Sequence, residues 1–314
     1  MGDSIAIVFP GQGSQSVGML SELASGHAVV EQTFAEASDV LGIDLWALSQ
    51  QGPADELNRT ELTQPAMLAA GVAVWRAWRE QGGREPAALA GHSLGEYTAL
   101  VCAESIAFRD AVRLVNERGR FMQEAVPAGE GAMAALLGLD DEAVARVCAE
   151  AAKGDVVEAV NFNAPGQVVI AGAAAAVDRA VELAKDAGAR RAVMLPVSVP
   201  SHCALMKPAS ERLAGSLSSV TIREPVITVL HNVDARPARD ASAIRDALIR
   251  QLHSPVRWVE TVQSLAASGT ATLVECGPGK VLAGLTKRID KSLNALPVYD
   301  PSTLDRAVAE LSQG

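Results

Sequence analysis

One serine in the sequence has the neighbours expected of a catalytic nucleophile. Gly91-His92-Ser93-Leu94-Gly95 is a Gly-x-Ser-x-Gly motif between the apolar run 86–90, which has the length of a strand, and a segment from Glu96 that is typical of a helix start. A serine on such a strand-to-helix turn, the nucleophile elbow, holds its hydroxyl clear of the sheet. The helix directs its N–H groups and positive dipole end at the place where an oxyanion develops. We therefore predict that Ser93 is a nucleophile; the alternative is a serine in an ordinary βα turn.

An arginine on the apolar side of a predicted helix is the second candidate. The pattern of 109–125 is helical, and Arg118 has apolar residues three and four positions away in both directions. These neighbours are Leu114, Val115, Phe121 and Met122. A guanidinium cannot lose its charge, so it is costly to bury unless it meets an anion. Arg118 is therefore expected to bind either an Asp or Glu of the protein or a carboxylate on a substrate.

Of the five histidines, His202 is placed where a base could act. It ends Ser198-Val-Pro-Ser-His202, a turn-like segment directly after a predicted inserted unit, where a side chain could face a cleft. His92 precedes the serine, and adjacent positions on an elbow point in different directions, so we expect His92 to be structural. No Asp or Glu partner for His202 can be singled out from the sequence.

The chain is predicted to begin with a buried strand, Ile5–Phe9, which leads into the glycine-rich loop Pro10-Gly-Gln-Gly-Ser-Gln15. Loops at the strand ends of an open α/β sheet bind ligands. A dinucleotide site is excluded because Ser16 stands where the third glycine is needed, and a Walker loop because Gly-Lys-Ser/Thr is absent. Helices are predicted over 29–50 and 66–80.

Residues 127–198 are predicted to form a separate unit. Strands and helices alternate there in the order β-α-β-β-α-β, the ferredoxin-like arrangement. The strands are predicted at 132–137, 156–162, 168–171 and 191–197, and the helices at 140–152 and 174–187. Residues 1–126 and 199–314 then form the large subdomain, to which strands at 226–230 and 272–276 return. We predict an α/β fold with a mostly parallel sheet in the large subdomain and an inserted ferredoxin-like small subdomain.

Four basic residues are predicted to lie on one side of a helix spanning 281–293. Lys287, Arg288 and Lys291 follow Lys280 at offsets of 7, 8 and 11, which share a helix face. On an acidic protein this stripe indicates docking of an anionic partner. A solvated helix face is the alternative.

Composition excludes several classes of function. With 314 residues, 49% of them hydrophobic and 20% charged, the chain can bury the core of one large globular domain. A net charge of −10 argues against a nucleic-acid partner. The longest apolar stretch, 66–75, is too short to span a membrane, and the N-terminus lacks the features of a secretory signal. The four cysteines are widely spaced, so neither a zinc site nor a disulfide framework is indicated. We expect a cytoplasmic protein without membrane, metal or nucleic-acid partners.

Several segments together resemble one family, the malonyl-CoA:acyl-carrier-protein transacylases of bacterial fatty-acid synthesis. The segments that carry the resemblance are Phe9–Gln15, Gly91–Glu96, the Arg118 helix, Ser198–His202 and Glu275–Lys280. They span nearly the whole chain, in order. The resemblance implies an α/β-hydrolase-like large subdomain and a ferredoxin-like small one.

The resemblance also implies roles for individual residues. It makes Ser93 the nucleophile and His202 the general base, the histidine being oriented by the main-chain carbonyl of Gln251 rather than by an acid. The backbone N–H groups of Gln12 and Leu94 would form the oxyanion hole.

The implied substrate explains the arginine. Arg118 would hold the malonyl carboxylate, and Gln64 and Asn161 match positions that line the family's pocket. The implied reaction is ping-pong transfer of malonyl from malonyl-CoA to the phosphopantetheine thiol of an acidic acyl carrier protein, without a bound cofactor.

Three other functions stay open at this point. A serine hydrolase or thioesterase could use the same elbow, a trans-acting acyltransferase could serve polyketide synthesis, and a non-catalytic acyl-CoA or carrier-binding module would not need Ser93. Strictness for malonyl over methylmalonyl or acetyl and the oligomeric state are not predicted.

Overall fold

The computed structural model describes residues 4–197 and 199–312. Its strands form two separate sheets, one of five strands and one of four. In chain order the strands are β1 (Ser4–Phe9), β2 (Ala88–Gly91), β3 (Gly131–Leu137), β4 (Val157–Ala164), β5 (Gln167–Ala173), β6 (Arg191–Met194), β7 (Thr228–Leu230), β8 (Thr270–Cys276) and β9 (Asn294–Val298).

Helices cover both sheets. They are α1 (Ser21–Gly26), α2 (Val29–Leu41), α3 (Leu45–Gln51), α4 (Ala54–Leu57), α5 (Thr60–Glu80), α6 (Gly95–Cys102), α7 (Phe108–Ala125), α8 (Asp141–Ala152), α9 (Ala174–Asp186), α10 (Lys207–Ser219), α11 (Ala241–Gln251), α12 (Trp258–Ala267), α13 (Val281–Ile289) and α14 (Pro301–Ser312), with a 3₁₀ turn at Ala204–Met206. Within the described residues no helix combines the length and apolar character needed to cross a bilayer.

The five-stranded sheet is parallel throughout, in the order β7-β2-β1-β8-β9. Its central strand is apolar on both faces, because helices cover both sides of the sheet. Ile5, Ile7 and Phe9 enter the core shared with α5 and α6, whereas Ala6 and Val8 enter the core shared with α12 and α13. The predicted α/β class and the mostly parallel sheet are confirmed.

The carboxyl ends of four neighbouring strands bring distant segments together. Strand β1 leads into the loop from Pro10, β2 into the elbow at His92, β7 into His231 and β8 into Gly277. This edge of a parallel sheet is the usual place for a ligand site.

The four-stranded sheet is antiparallel, in the order β4-β5-β3-β6. Together with α8 and α9 it follows the predicted order β-α-β-β-α-β, so the ferredoxin-like arrangement is confirmed. Its core consists of alanine, valine, leucine, isoleucine and one cysteine, Cys148. The subdomain boundaries at 126/127 and 198/199 stay predictions, and Ser198 lies outside the described residues.

The antiparallel sheet is hydrogen-bonded beside the elbow to the segment before α12. The backbone N–H of Phe162 in β4 donates to the carbonyl of Val256 at 3.0 Å, and that of Val256 donates to the carbonyl of Val160 at 2.8 Å. Next to them, Nε2 of His92 donates to Oδ1 of Asn163 at 2.8 Å. His92 thus ties the elbow to β4, in agreement with the structural role expected of it.

Two predicted helices had wrong bounds near the N-terminus. The helix predicted over 29–50 is two helices, α2 and α3. They are separated at Gly42, which has the left-handed φ of 70°, and Asp44 caps the second one by accepting from the N–H of Ala47 at 2.8 Å. The helix predicted over 66–80 begins earlier, at Thr60, and passes through Pro65.

Proline is tolerated in α5 because a neighbouring helix compensates for its missing donor. Pro65 has no N–H for the carbonyl of Glu61, four residues earlier. Nδ2 of Asn116 in α7 donates to that carbonyl instead, at 2.8 Å. The sequence does not show such a partner, which comes from 55 residues away.

Two further elements end earlier than predicted. Strand β6 ends at Met194 rather than at 197, since Pro196 has no N–H to continue the ladder. Helix α13 ends at Ile289 rather than at 293, where Asp290 adopts an extended conformation. Lys291 therefore lies beyond the helix, and the prediction that it shares a helix face with Lys280, Lys287 and Arg288 is wrong.

Candidate active site

Ser93 lies on a sharp turn between β2 and α6. Its φ is 51°, in the left-handed region that is unfavourable for a residue with a side chain. A Cβ on Gly91 would lie 1.8 Å from the carbonyl carbon of Gly95, and one on Gly95 would lie 2.1 Å from the carbonyl oxygen of Phe9. Glycine is therefore required at both positions, as the motif predicts. The turn leaves the Ser93 hydroxyl on the wall of a cavity at the sheet edge.

His202 is hydrogen-bonded to the serine hydroxyl and to a main-chain carbonyl. Its Nε2 lies 2.8 Å from Oγ of Ser93, and its Nδ1 lies 2.7 Å from the carbonyl oxygen of Gln251. A carbonyl oxygen can only accept, so Nδ1 carries the proton and Nε2 is free to accept the proton of the hydroxyl. The two bonds hold the imidazole in the tautomer that a general base requires.

The environment of His202 keeps the ring neutral. Only 2% of the residue is exposed. Burial, followed by the positive charge of Arg118, lowers the pKa of His202 to about 3. A neutral imidazole is the form that can remove a proton.

Arg118 is buried at the same place. It is 1% exposed in α7, and its Nη2 donates to Oγ of Ser93 at 3.3 Å. The guanidinium also donates to two amide oxygens, Oε1 of Gln64 at 2.8 Å and Oε1 of Gln251 at 2.9 Å. Its Nε has no partner among the described residues, and the ring of Tyr97 lies 5.5 Å away.

Every one of these described partners of Arg118 is neutral. The internal ion pair that the sequence left open is therefore not formed with any acid in residues 4–197 or 199–312. Burial lowers the pKa of Arg118, but a guanidinium remains charged in proteins. The site therefore presents, beside the serine hydroxyl, a positive charge that no described acid contacts directly, which favours an anionic ligand.

The cavity at Ser93 has a volume of about 110 Å³. Its walls come from the antiparallel sheet, from α7 and from the segments that follow β1, β2 and β6. Besides Ser93, His202 and Arg118 they include Gln12, His92, Leu94, Met122, Met133, Asn161, Leu195, Val197, Val199 and Ser201. A wider cavity of about 560 Å³ lies elsewhere, lined by Arg76 and Phe108 among others. That one contains no hydrogen-bonded nucleophile and base, so chemistry rather than volume identifies the site.

The two residues predicted to supply the oxyanion donors both line this cavity. Gln12 belongs to the loop after β1, and Leu94 is the first residue after the nucleophile. In the described part of the chain, neither backbone N–H donates to a protein acceptor. The N–H of Ser93, by contrast, is occupied, donating to Oδ1 of Asn232 at 2.7 Å.

The two predicted pocket residues have different positions. Asn161 lines the cavity, and its buried Oδ1 has no hydrogen-bond partner among the described residues. Gln64 lies behind Arg118 instead, where it accepts from the guanidinium and contacts Met122 through Nε2 at 3.5 Å. Gln64 therefore supports the arginine rather than the cavity wall.

A buried polar cluster that the sequence did not predict lies beneath the elbow. Glu96 accepts from Nδ1 of His231 at 2.7 Å and from the N–H of Asn232 at 2.9 Å. Asn232 in turn donates to the carbonyl of Gly91 at 2.7 Å and accepts from Ser93. Arg118 was singled out as a charged residue among apolar neighbours on a helix, and the same criterion applied to α6 identifies Glu96.

The four basic residues predicted for docking are all exposed. Lys280 precedes α13, and Lys287 and Arg288 lie in its last turn, where cations are favourable. Arg288 donates to the side chain of Gln167 at the start of β5, so it connects α13 with the antiparallel sheet. No cluster of three or more His, Cys, Asp or Glu side chains that could hold a metal ion occurs in the described residues.

Comparison with known proteins gives one consistent result. Residues 6–305 match the family model of the acyl transferase domain. The malonyl CoA-acyl carrier protein transacylase of Salmonella typhimurium is 60% identical over 305 residues, covering 97% of this chain and 99% of that protein.

Solved structures agree. An acyl carrier protein S-malonyltransferase from Vibrio cholerae is 61% identical, with a TM-score of 0.94 over 96% of this chain and 99% of that one. PlMCAT:AntF, a type II PKS acyl-carrier protein in complex with its malonyl-transacylase, gives 58% identity and a TM-score of 0.97 over 98% of this chain and 99% of that one.

Proposed function

Because the chain belongs to the family of malonyl CoA-acyl carrier protein transacylases, we propose that it transfers a malonyl group from malonyl-CoA to the thiol of an acyl carrier protein in fatty-acid synthesis. One observation carries the choice of acyl group: Nη2 of Arg118 lies 3.3 Å from Oγ of Ser93, and its described partners are all neutral. An acyl chain that ends in a carboxylate supplies an anion that can contact the guanidinium directly.

In the first half-reaction His202 removes the proton of Ser93, whose oxygen attacks the thioester carbonyl of malonyl-CoA. Nε2 of His202 is already 2.8 Å from Oγ, within the range for proton transfer. The carbon–sulfur bond then breaks, and the departing CoA sulfur takes the proton from His202. A malonyl ester of Ser93 is left.

The negative oxygen that forms during this attack needs donors. We assign this role to the backbone N–H groups of Gln12 and Leu94, because both residues line the cavity and neither N–H donates to a described protein acceptor. Donors of this kind typically contribute about 10²- to 10³-fold each to the rate.

In the second half-reaction the phosphopantetheine thiol of the carrier protein attacks the ester. His202 takes the thiol proton and returns it to Oγ of Ser93 as the ester bond breaks. Free Ser93 and the malonyl thioester of the carrier are the products. These steps use residues of the chain and the two substrates, without a bound cofactor.

Throughout both halves Arg118 binds the free carboxylate of the malonyl group. Because the guanidinium is buried, its attraction to a carboxylate is screened less than it would be in water. The carboxylate also offsets the positive charge that lowers the pKa of His202. We therefore infer that malonyl binding strengthens the base that acts on it.

A hydrolase would use the same serine and histidine with water as the second nucleophile. The two functions are distinguished by following CoA release from malonyl-CoA with and without phosphopantetheinylated carrier protein. We expect one equivalent of CoA per protein molecule in a rapid burst, and sustained turnover only when the carrier is added. Sustained release of free malonate without the carrier would instead establish a hydrolase.

The exposed basic residues of α13 are our proposal for carrier docking, because acyl carrier proteins are acidic. Lys287→Glu combined with Arg288→Glu should raise the KM for the carrier several-fold, and more so at low ionic strength, while the malonylation of Ser93 is unchanged. A KM that does not change would return these residues to the solvated-face interpretation. Arg146→Glu combined with Lys153→Glu, at two exposed positions in and just after α8, serves as the matched charge control.

The class of carrier and the compartment are also proposals. The structure with a type II PKS acyl-carrier protein supports testing both a fatty-acid and a polyketide carrier as acceptors. The four cysteines are buried free thiols, which is typical of proteins in a reducing compartment and supports a cytoplasmic location.

A further inference from the structure

A buried carboxylate beneath the elbow takes no part in the steps above. Glu96 is 0% exposed in the first turn of α6, where the helix dipole favours negative charge. Besides the donors from His231 and Asn232, its Oε2 accepts from Nε2 of Gln251 at 2.9 Å. A carboxylate surrounded by three donors can serve only as an acceptor, and it is fixed in orientation.

The side chain of Gln251 connects this carboxylate with the reacting groups. Its Nε2 donates both to Glu96 and to the carbonyl of Ser93, the latter at 3.0 Å, and its Oε1 accepts from Arg118 at 2.9 Å. The carboxylate of Glu96 and the carbonyl of Ser93 can only accept, so the NH₂ group of Gln251 faces them. The amide oxygen of Gln251 is therefore left to face the guanidinium. If the amide turned over, its NH₂ group would face another donor, and Arg118 would lose a partner.

The negative charge of Glu96 also helps to hold the Arg118 guanidinium in place. One amide separates it from Arg118, so it attracts the guanidinium without occupying the N–H groups that the substrate needs. A direct ion pair would have filled those donors. The arrangement thus holds a cation in place and leaves it available.

We propose that Glu96 is a positioning residue for substrate selection: through the Gln251 amide it fixes Arg118 in the orientation that binds the free carboxylate of the acyl group. The proposal rests on the function proposed above, since only an acyl group with a second carboxylate uses Arg118. Loss of Glu96 or of the Gln251 amide should reduce the preference for malonyl over acetyl. The main-chain carbonyl of Gln251, which orients His202, is unchanged by either substitution.

The test compares acylation of the protein by malonyl-CoA and by acetyl-CoA, measured as the rate of mass increase of the intact chain. Glu96→Met and Gln251→Met keep the size of the side chain but remove its oxygen acceptors. Each should lower the malonyl-to-acetyl ratio of kcat/KM about tenfold or more. Glu96→Met should slow acetyl transfer as well, because Asn232 also loses its partner.

A matched control and a second background separate positioning from general loss of structure. Glu275 is also a buried carboxylate, but it caps α13 by accepting from the N–H groups of Leu282 and Ala283. Glu275→Met should reduce the stability of the protein and leave the malonyl-to-acetyl ratio of kcat/KM unchanged. In an Arg118→Ala background, Glu96→Met should lower the ratio no further, because the residue through which it acts is gone.

The outcomes decide between the two proposals. If folded Gln251→Met keeps the full malonyl preference, the inference is overturned, and it is the deciding variant if Glu96→Met does not fold. An equal loss of malonyl and acetyl transfer in both variants would overturn it as well. If the unsubstituted protein acquires no malonyl group at all, the proposed function fails, whatever the variants show.

Discussion

The region around the elbow and the antiparallel sheet are built in opposite ways. Among the described residues, every buried polar or charged side chain lies outside 131–194, and the elbow region holds Glu96, Arg118, His202 and Gln251 among them. The core of the antiparallel sheet is aliphatic, closed by two helices of the expected period. One region buries charged side chains beside the strained backbone of Ser93, whereas the other buries only aliphatic side chains and one cysteine in its core. The difference indicates which region carries chemistry and which supports it.

The largest effect on stability is expected from a substitution that adds a side chain where the turn at Ser93 has no room for one. Gly91→Ala places a Cβ 1.8 Å from backbone, so we expect a loss of about 4 kcal/mol or more in the free energy of unfolding, or no folded protein. Gly284→Ala, in α13 with no neighbour within 4 Å, is the control and should be neutral or stabilising by up to about 1 kcal/mol. Urea unfolding measures both. A Gly91→Ala protein of ordinary stability would contradict the account of the turn.

Removing the buried cation should alter selectivity next most strongly. Arg118→Ala is expected to lower kcat/KM for malonyl-CoA about 10²- to 10³-fold, the cost of leaving a buried carboxylate without its partner. Acetyl transfer, which does not use the guanidinium, should be spared or improved. Steady-state kinetics with both thioesters provide the measurement, and an unchanged malonyl preference would refute the role of Arg118.

The pH dependence of acylation should be set by the elbow region, because residues 131–194 contain no histidine. Burial and the charge of Arg118 lower the pKa of His202 to about 3, so the ring stays neutral and able to act as a base well below the ordinary value of about 6.5. The acyl group of acetyl-CoA has no titrating carboxylate. The rate at which acetyl-CoA acetylates the protein should therefore not fall as the pH is lowered through about 6.5.

The pH dependence of acetylation also tests what lowers the pKa of His202. Arg118→Ala removes one of the three lowering effects, the others being burial and the charge of His92, so the pKa of His202 should rise and the acid limb should move to higher pH. His92 and the backbone of Ser254 also face the ring and are unchanged in this variant. An acid limb at the same pH in both proteins would show that Arg118 does not act on the base.

The smallest effect is expected in the antiparallel sheet. Ile170 is fully buried in its aliphatic core, and Ile170→Val removes one methylene from it. We expect a loss of about 0.5–1.5 kcal/mol in the free energy of unfolding. The malonyl-to-acetyl ratio should be unchanged, and a change in that ratio would show that the two regions are coupled more closely than their construction suggests.

Local patterns predicted much of this molecule. The element order of the antiparallel sheet follows from periodicity, and the elbow follows from glycine spacing around Ser93. The structure brings Ser93, His202 and Arg118 into contact, as expected. The first two predictions succeeded because each depends on residues close in sequence or on a motif with a steric cause. The contact between Ser93 and His202, which are 109 positions apart, was expected from the family resemblance rather than from a local pattern.

Features that depend on distant partners were not predictable in this way. The Glu96–His231 pair joins residues 135 positions apart, and Asn116 compensates for Pro65 from another helix. The early end of α13, which separates Lys291 from Lys287, depends on the extended conformation of Asp290. Periodicity does not report such tertiary contacts or backbone changes.

The most direct test of the account is to incubate the protein with malonyl-CoA, digest it and locate the added mass. We predict a malonyl group on Ser93 in the unsubstituted protein and none in Ser93→Ala, which removes only the attacking oxygen. A malonyl group on another residue, or one that persists in Ser93→Ala, would contradict the assignment of Ser93 as the nucleophile.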